Sequence, residues 1–331
     1  MTRWGLTFPL DGVPLSDHRE VFAEMERNGY TDAWTLEIDG TDAFVPAGLA
    51  AAMSERLRIG TAIANVFTRG PALLAMEATA VAEAAPGRFC LGIGASSPAI
   101  VERWNGAAFE RPLTRVRETV AFLRAAFAGE KAANETLRAQ GFRLSRRFGD
   151  APPIYVAALR ERMLALAGAV ADGVVINWLA PSDVPKVVAV AKEAARSAGR
   201  DPDALDVVCR IFVIPDAPDE IVRYLARRAI AGYFTTPVYG AFQEWLGRGD
   251  LLRPVREAWD AGDRKGALEL VPDELVEAVF VIGSVRECRD KIEAYVANGV
   301  TTPVLNFTPI SADPKEQAER NLRLLKELAP A

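Results

Sequence analysis

The polar residues able to do chemistry in this chain are few, and they gather in short runs that each follow an apolar stretch. Glu37-Ile38-Asp39-Gly40-Thr41-Asp42 holds three carboxylates in six residues. A carboxylate at a partly buried mouth can have its pKa moved toward neutrality, and Glu37 is the best single candidate for proton handling. The plainer alternative is a loop acid capping the following helix, a role for which Asp39 and Asp42 are equally placed. The other runs are Asn65-Val66-Phe67-Thr68-Arg69, Ala95-Ser96-Ser97, Leu159-Arg160 and Asn177-Trp178. Ser96 and Ser97 could hydrogen-bond a ring system or only cap the next helix. Arg160 could meet a phosphate at a helix start or stay solvated.

Other chemistries are disfavoured. His18 is the single histidine and sits in an acidic stretch, so His-rich metal sites and Ser/Cys-His hydrolysis are not expected. Cys90, Cys209 and Cys288 are far apart among apolar neighbours, which fits buried reduced thiols better than a disulfide framework or a metal site. The chain of 331 residues is 50% hydrophobic and 25% charged, enough for a large core and a soluble surface. Its net charge of -5 is spread along the chain, and no basic block interleaves with aromatics, which argues against a nucleic-acid partner. Met1-Thr2-Arg3-Trp4-Gly5 lacks the basic start and apolar run of a leader, and no long uncharged apolar segment follows, so a cytoplasmic protein without a membrane partner is expected.

The elements that must position these runs alternate. Apolar, β-branched strands are expected at Trp4–Phe8, Asp32–Leu36, Leu57–Ala64, Phe89–Gly94, Ile154–Ala158, Gly173–Asn177, Val207–Ile214 and Pro303–Phe307, with helix-period stretches between them. Helix boundaries carry physical signals: Ser16 ahead of Val21, Phe22 and Met25, closed by Asn28-Gly29; a capping box of Ser284 and Glu287; and Asp313-Pro314 before the last helix. Eight mostly apolar strands separated by helices require a parallel sheet covered on both sides. No G-x-G-x-x-G run follows the first strand, which favours a closed α/β (β/α)8 TIM barrel over an open dinucleotide fold. Two segments break the rhythm. Residues 129–150, with Arg143, Arg146 and Arg147, read as an excursion over the barrel mouth, a lid, or a plain surface insertion. A helical insertion is expected at about 233–276, within one domain spanning 1–331.

Three stretches together resemble the luciferase-like monooxygenase superfamily, and more closely its branch dependent on the deazaflavin coenzyme F420. They run from Gly29 to Glu37, from Glu55 to Ile63 and from Gly87 to Gly94, in the family's order and spacing. Pro112 to Glu118 and Ala171-Asp172-Gly173-Val174 resemble the family's fourth helix and sixth strand. The resemblance implies a barrel with a cofactor ring at its mouth and a non-proline cis peptide behind that ring, by position between Ala62 and Ile63. It places Glu37, Asn65, Ala95, Ser96, Ala158, Leu159 and Arg160 near the cofactor, with Ser97 hydrogen-bonding it and Asn177 toward the substrate side. Phe67, Trp104 and Trp178 hint at an organic substrate with apolar parts, or are simple packing. Relatives that oxidise sugar phosphates carry a histidine after the strand-two acid and a glutamate after strand four, where this chain has Ile38 and Ser97. The expectation is a hydride-transferring oxidoreductase acting on a small molecule, with a homodimer suggested by the resemblance. The alternatives are a flavin mononucleotide (FMN) monooxygenase fed by a partner reductase and a non-catalytic cofactor carrier.

Overall fold

The protein is described by a computed structural model that covers residues 3–146 and 149–330. The strands are β1 (Gly5–Phe8), β2 (Asp32–Thr35), β3 (Arg58–Thr61), β4 (Ala64–Asn65), β5 (Phe89–Gly94), β6 (Ala132–Asn134), β7 (Ala139–Phe142), β8 (Ile154–Ala157), β9 (Gly173–Asn177), β10 (Asp206–Pro215), β11 (Phe280–Gly283) and β12 (Thr302–Phe307). The helices before β10 are α1 (His18–Arg27), α2 (Phe44–Met53), α3 (Pro71–Ala84), α4 (Pro112–Ala128), α5 (Glu161–Val170) and α6 (Val184–Ser197). After it come α7 (Asp219–Phe234), α8 (Pro237–Trp245), α9 (Gly249–Asp260), α10 (Arg264–Glu269), α11 (Asp273–Val279), α12 (Val285–Ala297) and α13 (Pro314–Glu327).

Eight parallel strands close a (β/α)8 barrel in the order β1, β2, β3, β5, β8, β9, β10, β12 and back to β1. Helices cover its outside, which is why strands such as β5 are buried along their whole length. The expected eight strands are present with ends shifted by a few residues, and Leu57–Ala64 is divided into β3 and β4. The sequence reading did not include β11, a four-residue strand that pairs with the last residues of β10, Phe212 against Phe280 through Pro215 against Gly283. The insertion after β10 is helical: α8 to α11 pack with α7 around a second apolar cluster containing Trp178, Phe234, Leu252 and Phe280.

Of the readings open for 129–150, the excursion or lid over the mouth is corrected and the plain surface insertion holds. The segment forms an antiparallel hairpin of β6 and β7, and Phe142 stacks on Phe122 of α4 with ring centroids 5.9 Å apart. It follows a helix and precedes β8, so it lies at the amino-terminal end of the barrel, away from the mouth. Arg147, named with this segment, and Met1 and Thr2, named for the missing leader, lie outside the described residues. Ser16 does not cap a helix; its hydroxyl donates to Asp17, and α1 begins at His18 after a short turn. The box at Ser284 and Glu287 and the cap at Asp313 form as expected. Among the described residues no helix is long and apolar enough to cross a membrane.

Inside the barrel, side chains stack in layers set by the two-residue alternation of each strand. The base is polar: Asp32, fully buried, pairs with Arg58, which also donates to Asp206 at 2.8 Å, to the Tyr155 hydroxyl at 2.9 Å and to Thr302 at 3.1 Å. Above it Trp34 and Tyr155 plug the cylinder, with centroids 5.8 Å apart. Glycine makes room for the plug, since a Cβ on Gly60 would lie 2.2 Å from the Trp34 ring.

Candidate functional site at the barrel mouth

One layer above the plug, the inward-facing residues change from fully buried to half-buried. Ala157 follows Tyr155 by two, Asn177 follows Val175 by two and Asn306 follows Val304 by two, so alternation points all three into the barrel. They, with Ile63 and Phe212, are partly exposed, whereas the layer below is closed. The carboxyl-terminal end of the barrel is thus an open slot over an aromatic floor.

The peptide between Ala62 and Ile63 is cis, at the position the resemblance implied. Ile63 packs against the interior cluster beneath the slot, and Gly94 leaves space for it: a Cβ there would stand 2.9 Å from Ile63 Cγ1. Asn65 is buried; its Oδ1 accepts from the Phe67 amide at 2.8 Å, while its Nδ2 has no partner among the described residues. Arg115 of α4 donates to the Val66 carbonyl at 2.9 Å and lies 4.8 Å from the Phe67 ring centre, so the stretch after β4 is braced from outside. Within the run from Pro112 to Glu118, Arg115 thus supports the rim.

Glu37 lies at the end of β2, and its two oxygens accept from Arg69 Nη1 at 2.5 and 2.6 Å. Arg69 also meets Glu77 of α3 at 3.1 Å and Asp42 at 3.8 Å. Burial opposes its charge, but the carboxylates prevail and hold its pKa above the ordinary value. Glu77 has its pKa raised, mainly because it is buried. Asp42 caps α2 by accepting from the amides of Phe44 and Val45, as its alternative reading had it. Sequence reasoning singled out the acid and missed the cation, because Arg69 gains its meaning from partners on β2 and α3.

The remaining candidates divide. Ala95, Ser96 and Ser97 follow β5; Ser96 has a left-handed φ of 61°, and the Ser97 hydroxyl accepts from the Ile100 amide at 3.4 Å, starting a π-helical turn at Ala99–Trp104. Ala158 is buried and Leu159 partly so at the end of β8, and Arg160 is exposed at the amino end of α5. Asn177 is half-buried at the end of β9, in register with Arg210 of β10. Trp178, read either toward the substrate or as simple packing, is 3% exposed, with a φ of 56° and its ring in the insertion core, 4.1 Å from Phe212 and 4.9 Å from Tyr233, which matches the packing alternative. Phe67 packs on Phe109 at 4.9 Å, and Trp104 is solvent-exposed. Arg210 of β10 went unremarked in the sequence, although a lone charge inside Val207-Val208-Cys209-Arg210-Ile211-Phe212-Val213 is a legible signal. Two surface clefts, one lined by Asp172 and Arg200 and one by Asp250 and Arg253, lie elsewhere, and their walls are ion-paired.

The family model described as luciferase-like monooxygenase matches residues 5–302. The 5,10-methylenetetrahydromethanopterin reductase of Methanolobus tindarius is 28% identical over an alignment covering 95% of this chain and 97% of that protein. Among solved structures, the coenzyme F420 dependent tetrahydromethanopterin reductase from Methanopyrus kandleri superposes with a TM-score of 0.79 at 23% identity, covering 99% of this chain and 97% of that one. An F420-dependent secondary alcohol dehydrogenase in complex with an F420-acetone adduct superposes with a TM-score of 0.77 at 19% identity, covering 99% of each chain.

Proposed function

The chain belongs to the luciferase-like monooxygenase family, and on that premise we propose that it is an oxidoreductase that uses the deazaflavin coenzyme F420 to exchange a hydride with a small organic substrate. The observation that carries this reading is the slot itself, open over the Trp34 and Tyr155 floor and bordered by Ile63 and Ala157. Its likeness along the whole chain to a methylenetetrahydromethanopterin reductase supports the choice.

The residues present fit a flat ring with carbonyl edges. Asn65 Nδ2 is a buried donor awaiting an acceptor, and Ala62, Ala95, Ala158 and Leu159 are small or apolar wall positions. When bound, the deazaflavin supplies the carbon that gives or takes the hydride. The chain holds and orients. Asn65, Ser96 and Ser97 hydrogen-bond the ring edge; the Ser97 oxygen already accepts from Ile100, which leaves its proton to donate. Glu37, clamped by Arg69, acts as a fixed charge that orients the ring. Arg160, with the amino end of α5, meets the phosphate. Asn177 faces the substrate side.

An absorbance spectrum of the protein purified from a host that makes both cofactors, followed by titration with each, tests the choice. Stoichiometric binding of coenzyme F420 and anaerobic hydride exchange are expected. Stoichiometric FMN with no affinity for coenzyme F420, together with oxygen consumption when a reductase supplies reduced flavin, would overturn it in favour of the monooxygenase alternative.

A further inference from the structure

Arg210 is the one guanidinium in the upper barrel layer that alternation aims inward from β10, two residues beyond the inward-facing Val208. The residue is 7% exposed. Its Nη2 donates to Asn306 Oδ1 at 3.2 Å, its Nε is buried without a partner, and the Phe212 ring lies 5.8 Å from its central carbon. Tyr233 of α7 belongs to the same aromatic group, 4.9 Å from Trp178, which lies 4.1 Å from Phe212, and 5.3 Å from Tyr239 of α8. Among the described residues, no carboxylate forms an ion pair with Arg210. Arg58, Arg69 and Arg248 are similarly shielded and each hold at least one acid; Arg320, also buried without an ion pair among the described residues, donates instead to the Pro215 carbonyl.

A buried cation without a counter-charge is costly, and proteins seldom keep one unless something arrives to neutralise it. The rest of the mouth explains why no acid of the chain does so. Glu37, Asp42 and Glu77 are gathered around Arg69, while Asp39 lies close enough to Tyr233 to act on its hydroxyl without pairing with Arg210. Going round the ring through β5, β8 and β9, β10 is the fourth strand from β3, so Arg210 stands on the opposite wall. Burial also works against the Arg210 charge, which lies below its ordinary pKa for that reason alone.

We propose that Arg210, with Asn306 and Asn177 beside it, receives the carboxylate of a substrate whose apolar or aromatic body lies against Phe212, Tyr233 and Tyr239. A single guanidinium fork and two amides match a planar monoanion, which takes two parallel hydrogen bonds; a phosphate dianion would leave charge unmatched. The inference rests on the proposed function only for its location at the same mouth. It names the class of substrate as an organic monocarboxylate and Arg210 as the residue that selects it.

The test is calorimetric titration of the cofactor-loaded protein with benzoate, with benzamide as the neutral isostere, and with inorganic phosphate. Benzoate is expected to bind about tenfold more tightly than benzamide. The preference should vanish in Arg210→Gln and be reduced but retained in Arg210→Lys. Since Arg210 lacks an acid to neutralise it, Arg210→Gln is expected to keep or raise the melting temperature, while benzoate should raise that of the parent protein only. Equal binding of benzoate and benzamide, tighter binding of phosphate, or a benzoate preference that survives Arg210→Gln would each overturn the assignment. If Arg210→Gln fails to fold, the guanidinium is a structural cation and the assignment falls as well. Failure of the cofactor reading looks different: the parent protein would not take up coenzyme F420, and the same titration on unloaded protein would still report on Arg210.

Discussion

At the residue scale, Glu37 enters the mouth as half of an ion pair, with both oxygens on one nitrogen of a guanidinium whose other two nitrogens meet Glu77 and Asp42. On the proposed function, its effect on a bound ring is that of an oriented charge. Glu37→Gln removes a charge-assisted contact and is expected to weaken coenzyme F420 binding about tenfold in an absorbance titration, corresponding to ~1.4 kcal/mol; unchanged affinity and turnover would remove Glu37 from the site. His18 has no part in chemistry. It is buried, accepts from the Leu10 amide through Nε2 at 3.0 Å and donates through Nδ1 to the Pro14 carbonyl at 2.9 Å. Burial lowers its pKa below the ordinary 6.5. As pH falls, the unfolded chain therefore takes up this proton before the folded chain does. The stability contributed by neutral His18 is complete above 6.5 and declines as pH drops below it. Urea unfolding at about pH 7.5 and about pH 5.5 should show this loss, and His18→Gln should flatten it; parallel curves for the two proteins would show that other groups carry the dependence. The buried thiols were readable from their neighbours in sequence. The role of Arg69 was not, because Glu37 lies 32 positions away.

Elements were legible in proportion to how local their causes are. In the capping box at α12, the Ser284 hydroxyl accepts from the Glu287 amide and the Glu287 carboxylate accepts from the Ser284 amide, all within four residues. Ser284→Ala is expected to cost about 1 kcal/mol and to lower the melting temperature by about 2 °C, checked by calorimetry. A shift within error would mean that tertiary packing alone holds that helix end. Ser16 shows the limit of the same logic, for the chain turns once more before α1 and leaves the serine outside the helix. The segment at 129–150 was read from its polarity, yet polarity cannot say which end of a barrel a surface hairpin decorates. That was settled by Phe142 finding Phe122. β11 was missed because four apolar residues directly after a helix read equally well as its last turn.

At the scale of the molecule, the barrel is tied at its base and open at its top. Asp32 is fully buried and holds Arg58, with Asp206 completing the network. Burial alone would raise the Asp206 pKa, but Arg58, Thr301 and Tyr155 hold it below its ordinary 3.8, so its contribution is present above that value and is lost as pH falls through the lowered one. Asp32→Asn leaves a shielded guanidinium short of an acid and is expected to cost about 3–5 kcal/mol, seen as a lower urea midpoint at unchanged slope. A loss below about 1 kcal/mol would show that solvent relieves Arg58. By itself the sequence determined the eight-strand count, the parallel covered sheet and the caps at Ser284 and Asp313, because periodicity, apolar runs and capping act over a few residues. Only the tertiary structure decided which strand-end residues share a space. Closing the ring set Arg210 across from the acids around Arg69, turned Trp178 into packing, and left Asn65 with a donor unused, since each of these depends on a neighbour that only barrel closure brings within reach.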